Sequence, residues 1–169
     1  GQYTVFSQVI LLWSIIPLIF TNYHMPRLAR IYSNSINEYK EELVKYGKIY
    51  FYIGIGIALI SLVVFNIQYY ILDYGNSSIY ISGLILCFVN VPISISLLQA
   101  SIISINNLYT YAFIKIVLNF FLVLVLSISL SKYFGIIIMP IALNIAYLFS
   151  EFLLPKIYKN NVRFSIKLL

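Results

Sequence analysis

Two charged residues stand in apolar surroundings and could do chemistry. Lys115 lies inside the run YTYAFIKIVLNFF, and Glu151 sits about one turn before Pro155 and Lys156. A lysine in such a run has two options. It snorkels to the headgroups, or it faces a water-filled cavity and offers a cation to an anionic group such as a diphosphate. Glu151 is either an interfacial partner of nearby bases or a proton- or ion-coupling group. Asn119 follows Lys115 by four residues and shares its helix face. Asn66, Asn90, Gln99 and Asn144 are further amides in apolar sequence. Such amides tie helices together, or they line a hydrated path that binds hydroxyls. Lys115, Asn119, Asn90 and Gln99 are the substrate-cavity candidates, and Glu151 is the coupling candidate.

Pro17, Pro92 and Pro140 fall inside three apolar runs. Each removes a backbone donor and frees a carbonyl one turn back. They are passive kinks or hinges. No enzymatic constellation accompanies them. His24 stands alone, with no acid beside it and no nucleophile motif, and reads as a solvated residue. Cys87 lies in an apolar run and reads as a small packing residue. There is no cysteine–histidine cluster for a metal, no glycine-rich phosphate loop and no paired carboxylate, so neither a metal nor a cofactor is expected.

The elements that must position these residues follow from composition. The chain has 169 residues, of which 62% are hydrophobic and 9% charged. A soluble domain carries about 25% charged residues. Too few polar side chains exist to cover a water-facing surface, so the expected class is an all-α polytopic membrane bundle. The formal charge of +6 sits at the ends of apolar runs. It suits orientation and anionic lipid, not nucleic acid.

Five stretches are long enough to cross, at about 20 residues each: residues 4–22, 49–69, 79–100, 108–130 and 135–154. Continuous runs of this kind become helices in lipid, where isolated strands leave their edges unpaired. The chain is read as one membrane domain, 1–169. Between the first two runs lies a polar island, residues 23–48, with five of the eleven Lys and Arg and three of the five acids. Within it, Ser35 and Glu38 have capping-box spacing. Ile36, Tyr39, Leu43 and Tyr46 share a face, and Glu41 and Lys45 can pair. A short amphipathic helix running into the second span is expected. The island and the basic tail, 155–169, are placed in the cytoplasm and the N-terminus outside. Tyr46, Tyr50 and Tyr52, then Tyr69, Tyr70 and Tyr74, then Tyr109 and Tyr111, are read as interfacial. The chain starts at Gly1, without a basic n-region or cleavage site in its first run. It is therefore expected to be a piece of a longer or processed polypeptide, not to begin with a signal peptide.

The order of features carries a resemblance. GQY opens the first run, and MPRLARIY closes it with Pro26, Arg27 and Arg30. YGNSSIYISGLIL supplies Tyr74, Gly75 and Tyr80. Asn119 stands in the penultimate helix, and KYFG precedes the last, with Ile138 where a second glycine is usual. In these features the chain resembles the C-terminal lobe of the polysaccharide exporters and lipid-linked oligosaccharide flippases, O-antigen flippases among them. They belong to the multidrug/oligosaccharidyl-lipid/polysaccharide exporter superfamily. The resemblance implies the last five helices of a twelve-helix, two-lobe, alternating-access transporter. It implies N-terminal helices of the same transporter as partners, and a bacterial or archaeal cell (inner) membrane. It implies a polyprenyl-diphosphate-linked oligosaccharide as substrate in lipopolysaccharide or capsule synthesis. The alternative is a drug or metabolite exporter of the same fold, coupled to a cation or proton. A membrane polymerase or acyltransferase would need a sizeable charged external loop, which the sequence lacks. A purely structural subunit is excluded only by the resemblance.

Overall fold

A computed structural model describes residues 8, 12–71 and 77–154. Gly1, Tyr3, most of 4–11, the Asp73–Tyr74–Gly75 loop and the basic tail lie outside the described residues. Among the described residues the secondary structure is helical, with no strand. The helices are α1 (Ile15–Asn34), α2 (Ile36–Ile71), α3 (Ser77–Cys87), α4 (Asn90–Ile105), α5 (Tyr109–Phe134) and α6 (Ile138–Leu148). A 3₁₀ turn, Gly135–Ile137, precedes α6, and a π turn, Phe149–Leu153, follows it. Among the described residues three stretches, where five were expected, are long and apolar enough to cross a membrane: Ile36–Ile71, Ser77–Ile105 and Tyr109–Phe152.

The polar island is a helical hairpin, not a loop with one short helix. α1 runs on to Asn34, and α2 starts at Ile36 and continues without a break. Ser35 between them is extended, and its Oγ accepts from the Glu38 N–H at 3.4 Å, the expected N-cap. The two helices pack antiparallel. Thr21 meets Tyr50 (2.7 Å), His24 meets Tyr46 (2.9 Å), Arg27 meets Glu42 (3.9 Å) and Tyr32 stacks edge-on to Tyr39. Lys45 pairs with Glu42 at 3.0 Å, one position from the expected Glu41. Glu42 is preferred because its position also faces Arg27 across the hairpin. α2 has 36 residues, or about 54 Å at helical rise. A hydrocarbon core of about 30 Å cannot hold it, which is why its first three turns are charged.

The hairpin also overturns part of the tyrosine reading. Tyr39, Tyr46 and Tyr50 are buried with Leu28, Leu43, Leu98 and Ile102, and Tyr111 is buried beside Ile103 and Leu154. The expected face is correct for Tyr39, Leu43 and Tyr46, whereas Ile36 is exposed. Tyr52, Tyr70 and Tyr109 keep the exposed position.

The three prolines mark helix starts. Pro17, Pro92 and Pro140 are each the third residue of α1, α4 and α6. First-turn N–H groups have no intrahelical partner, so a proline there removes little. The break before α4 shows the compensation. Pro92 cannot donate to the Phe88 carbonyl, and the Val91 N–H serves it instead at 3.2 Å. That leaves the Cys87 carbonyl, which the Asn90 side chain caps at 3.1 Å. The Ile85 carbonyl accepts from Asn144 of α6 at 3.1 Å. Pro26, expected to close the first helix, lies within α1 instead.

α2 and α4 share the most extensive contact in the bundle. It depends on Gly54: a Cβ there would lie 2.8 Å from the Val91 Cα and 3.2 Å from the Ser94 Oγ. α5 and α6 pack antiparallel, with Ser127 near Met139 and Asn119 near Ser150. The reversal sits at Gly135, whose φ of +55° with ψ of −133° is hostile to any side chain. Gly54→Ala should destabilise the bundle by about 1–3 kcal/mol through overpacking. Gly56→Ala, where a Cβ meets nothing within 4 Å, should be neutral or slightly stabilising. Denaturant unfolding of the two variants in detergent checks the contrast.

Candidate functional site

Lys115 enters the bundle from α5 and is buried, with a relative exposure of 7%. Its ammonium turns to acceptors within the bundle. It has three protons to give and three acceptors around it. Glu151 Oε1 lies at 2.6 Å, Gln99 Oε1 at 3.1 Å and Ser96 Oγ at 3.3 Å. One cation thus joins α4, α5 and the π turn after α6. Glu151 is 2% exposed and is placed by that π turn. Its partner is an internal lysine, not an interfacial base.

The network extends in two directions. The Gln99 Nε2 donates to the Glu151 backbone carbonyl at 3.0 Å. Residue 155 is a proline and has no N–H for the carbonyl four residues back, so Gln99 fills the acceptor that proline cannot. On the other side Ser150 Oγ lies 3.2 Å from Glu151 Oε1 and 3.0 Å from the Tyr147 carbonyl. Its single proton serves one of them at a time. Asn119 Nδ2 donates to Ser150 Oγ at 3.1 Å. The second carboxylate oxygen, Glu151 Oε2, is buried with no hydrogen-bond partner, as is Asn119 Oδ1.

The structure therefore brings together Lys115, Gln99, Asn119 and Glu151. It does not bring in Asn90, which sits at the α2–α4 contact and donates to Ser61 at 3.3 Å. Asn66 and Asn144 also tie helices: Asn66 accepts from Tyr80 at 2.8 Å. Pro17, Pro92 and Pro140 stand at helix starts outside the cluster. Sequence reasoning missed Ser96 and Ser150. Ser96 precedes Gln99 by three and shares its face, a signal that was available. Ser150 gave none, because only the π turn aims it at Asn119.

Beside the cluster, α4 and α5 leave a cleft of about 330 Å³. Ser96 and Lys115 line it together with Ala100, Ile103, Ala112 and Ile116. Ser104 and Tyr109 border it as well, so polar groups lie among apolar walls.

His24, read as solvated, is half-buried in the hairpin. Its ring packs on Phe20, Tyr23 and Tyr46, with centroids 4.1, 4.9 and 4.7 Å away. Burial lowers its pKa, helped by Arg27 and opposed by Glu42. Its Nδ1 lies 2.9 Å from the Tyr46 hydroxyl, and the tautomer sets which of the two donates.

Among the described residues the fold is all-helical, its long apolar stretches suggest a membrane protein, and a buried charge pair ties the inter-helix junction of Lys115 and Glu151. No protein-family model, curated protein or solved structure matches the chain.

Lys115→Ala or Glu151→Ala alone should each cost about 3–5 kcal/mol, because the remaining charge is left buried without its partner. Lys115→Met with Glu151→Leu should cost clearly less than the sum, and a double-mutant cycle in detergent reads the difference. His24 gives a pH test. Its folded pKa lies below the ordinary 6.5, so the unfolded chain takes the proton first. Stability should be full above about pH 6.5 and fall as the pH drops further, and His24→Asn should flatten that part of the curve.

Proposed function

We propose that the chain is the C-terminal lobe of a transporter that flips polyprenyl-diphosphate-linked oligosaccharide during cell-surface polysaccharide synthesis. In this reading five segments cross the bilayer: residues 4–22, α2, α3 with α4, α5, and α6 with its π turn. The charged hairpin of α1 and α2 lies in the cytoplasm, by the excess of Lys and Arg on that side. The remaining helices of a two-lobe transporter complete the path. The observation that carries the reading is the buried Lys115–Glu151 pair beside an open cleft in an otherwise apolar bundle. Ionisable groups in such a place mark substrate or ion pathways. A sugar headgroup cannot cross hydrocarbon without replacement for its water, and the hydroxyls of Ser96, Ser104 and Tyr109 along the cleft supply hydrogen bonds. The identity of the substrate rests on the sequence resemblance.

A second reading has an observation of its own. A cation- or proton-coupled drug or metabolite exporter needs an acid held deep in the helices. Glu151 is buried, which favours that reading more than its position in the sequence does.

The test uses the intact protein in its native cell. Deleting it should leave radiolabelled lipid-linked oligosaccharide on the cytoplasmic leaflet. Wild type should restore transfer, and Lys115→Met with Glu151→Leu should restore less than about a tenth of it, the effect of about 1.4 kcal/mol. Full rescue by the double variant would make the pair a structural cross-link. No accumulation on deletion would remove the flippase reading and favour the exporter.

A further inference from the structure

One face of α1 is left open by the described chain. Ile16, Ile19, Tyr23, Arg27 and Arg30 follow one another at steps of three or four. At 3.6 residues per turn all five lie within about 40° of Tyr23. All are exposed, Ile19 by 64% and Tyr23 by 78%. The face changes character in order. Two isoleucines come first, then a ring with a polar tip, then two guanidinium groups. It runs about 21 Å along the helix. One leaflet has nearly that depth, half of about 40–45 Å. A single phospholipid shows the same order over the same length: acyl chain, glycerol esters, phosphate.

The basic end of this face is not neutralised. Glu42 holds Lys45 at 3.0 Å and reaches Arg27 at 3.9 Å. Among the described residues no acid pairs with Arg30. A guanidinium carries five N–H donors in a fixed fork, so both arginines keep donors for an oxyanion. A groove of about 610 Å³ runs beside them, bordered by Tyr23, His24, Pro26, Arg27, Arg30 and Ile31. The Tyr23 ring is set in place there. It stands edge-on to His24 at 4.9 Å, and His24 packs in turn on Phe20 and Tyr46.

We propose that this face of α1 holds one anionic bilayer phospholipid, as a resident of the membrane and not as cargo. Its phosphate sits in the groove against Arg27 and Arg30, and its acyl chain lies on Ile16 and Ile19. A soluble anion would use the groove and leave the isoleucines bare, so the lipid matches more of the face. The site is separate from the Lys115 cluster and does not depend on what that cluster transports.

The experiment uses the intact protein in detergent, read by native mass spectrometry, with phosphatidylglycerol and phosphatidylcholine of the same chains as probes. Phosphatidylglycerol should bind at least about tenfold more tightly, since each arginine near an anionic headgroup is worth about fivefold. Arg27→Gln with Arg30→Gln should remove that preference. Lys48→Gln with Lys132→Gln, an equal loss of charge elsewhere, should keep it. Glycerol 3-phosphate, the headgroup without chains, should not displace the lipid at equal concentration. Benzoylphenylalanine in place of Tyr23 should cross-link to phosphatidylglycerol in lipid nanodiscs. Equal binding of the two lipids by wild type overturns the proposal, and that comparison needs no variant to fold. An equal loss of preference in the lysine variant overturns it as well, leaving only a general attraction of charge. Displacement by glycerol 3-phosphate would make the groove a soluble-anion site, and a cross-link to protein alone would place another helix on this face. Either result removes the lipid. Failure of the oligosaccharide test changes none of these outcomes, so the two readings fail separately.

Discussion

The ion pair between Lys115 and Glu151 constrains three helical segments at once. A charge removed from water must find its compensation within hydrogen-bond reach, and here the reach is a few ångströms. α5 supplies the cation and the segment after α6 supplies the anion. α4 supplies Gln99, which accepts from one side chain and donates to the other's backbone. If α4 slid by a turn, Gln99 would lose both contacts. If the π turn relaxed to regular helix, Glu151 would rotate away from Lys115. The pair is thus a condition on how these segments sit, more than a source of stability. An apolar set of the same shape could be as stable and would specify the arrangement less.

The same accounting governs the backbone. Proline and the turns between helices leave carbonyls without their usual donors, and nothing in hydrocarbon replaces them. Some are met by a backbone N–H, as Phe88 is by Val91, and three accept from amide side chains: Asn90 serves Cys87, Asn144 serves Ile85, and Gln99 serves Glu151. These three amides sit where the helices break. Gln99 both serves the Glu151 carbonyl and touches the charged pair, which links the shape of the bundle to its buried ionic junction.

Water sets the other boundary. α2 is too long for the hydrocarbon, and its extra turns form a hairpin with α1 around His24, Tyr46 and Leu43. Aromatic rings and the His24 imidazole hold that hairpin together, and Glu42 joins Arg27 and Lys45 along its side. The tyrosines that composition would place in the headgroup layer are divided by this packing. Those facing α1 or α4 are buried, and those facing away remain exposed.

The division into five spans was an expectation, against which three apolar stretches stand among the described residues. Helical class, apolar stretches long enough for a membrane and the Ser35 cap were legible in the sequence. These depend on hydropathy and on contacts within a few residues, which are local. It also singled out Lys115, Gln99, Asn119 and Glu151, because polar groups in apolar runs are conspicuous. It could not show that Lys115 and Glu151 touch. They are 36 positions apart, and their meeting depends on the reversal at Gly135 and on the π turn that aims the carboxylate. Nor could it separate Asn90 from the cluster, since both kinds of amide look alike in a run of isoleucine and leucine. Which polar groups share one junction follows from how the helices pack, because burial and pairing are not set by the chain's local pattern.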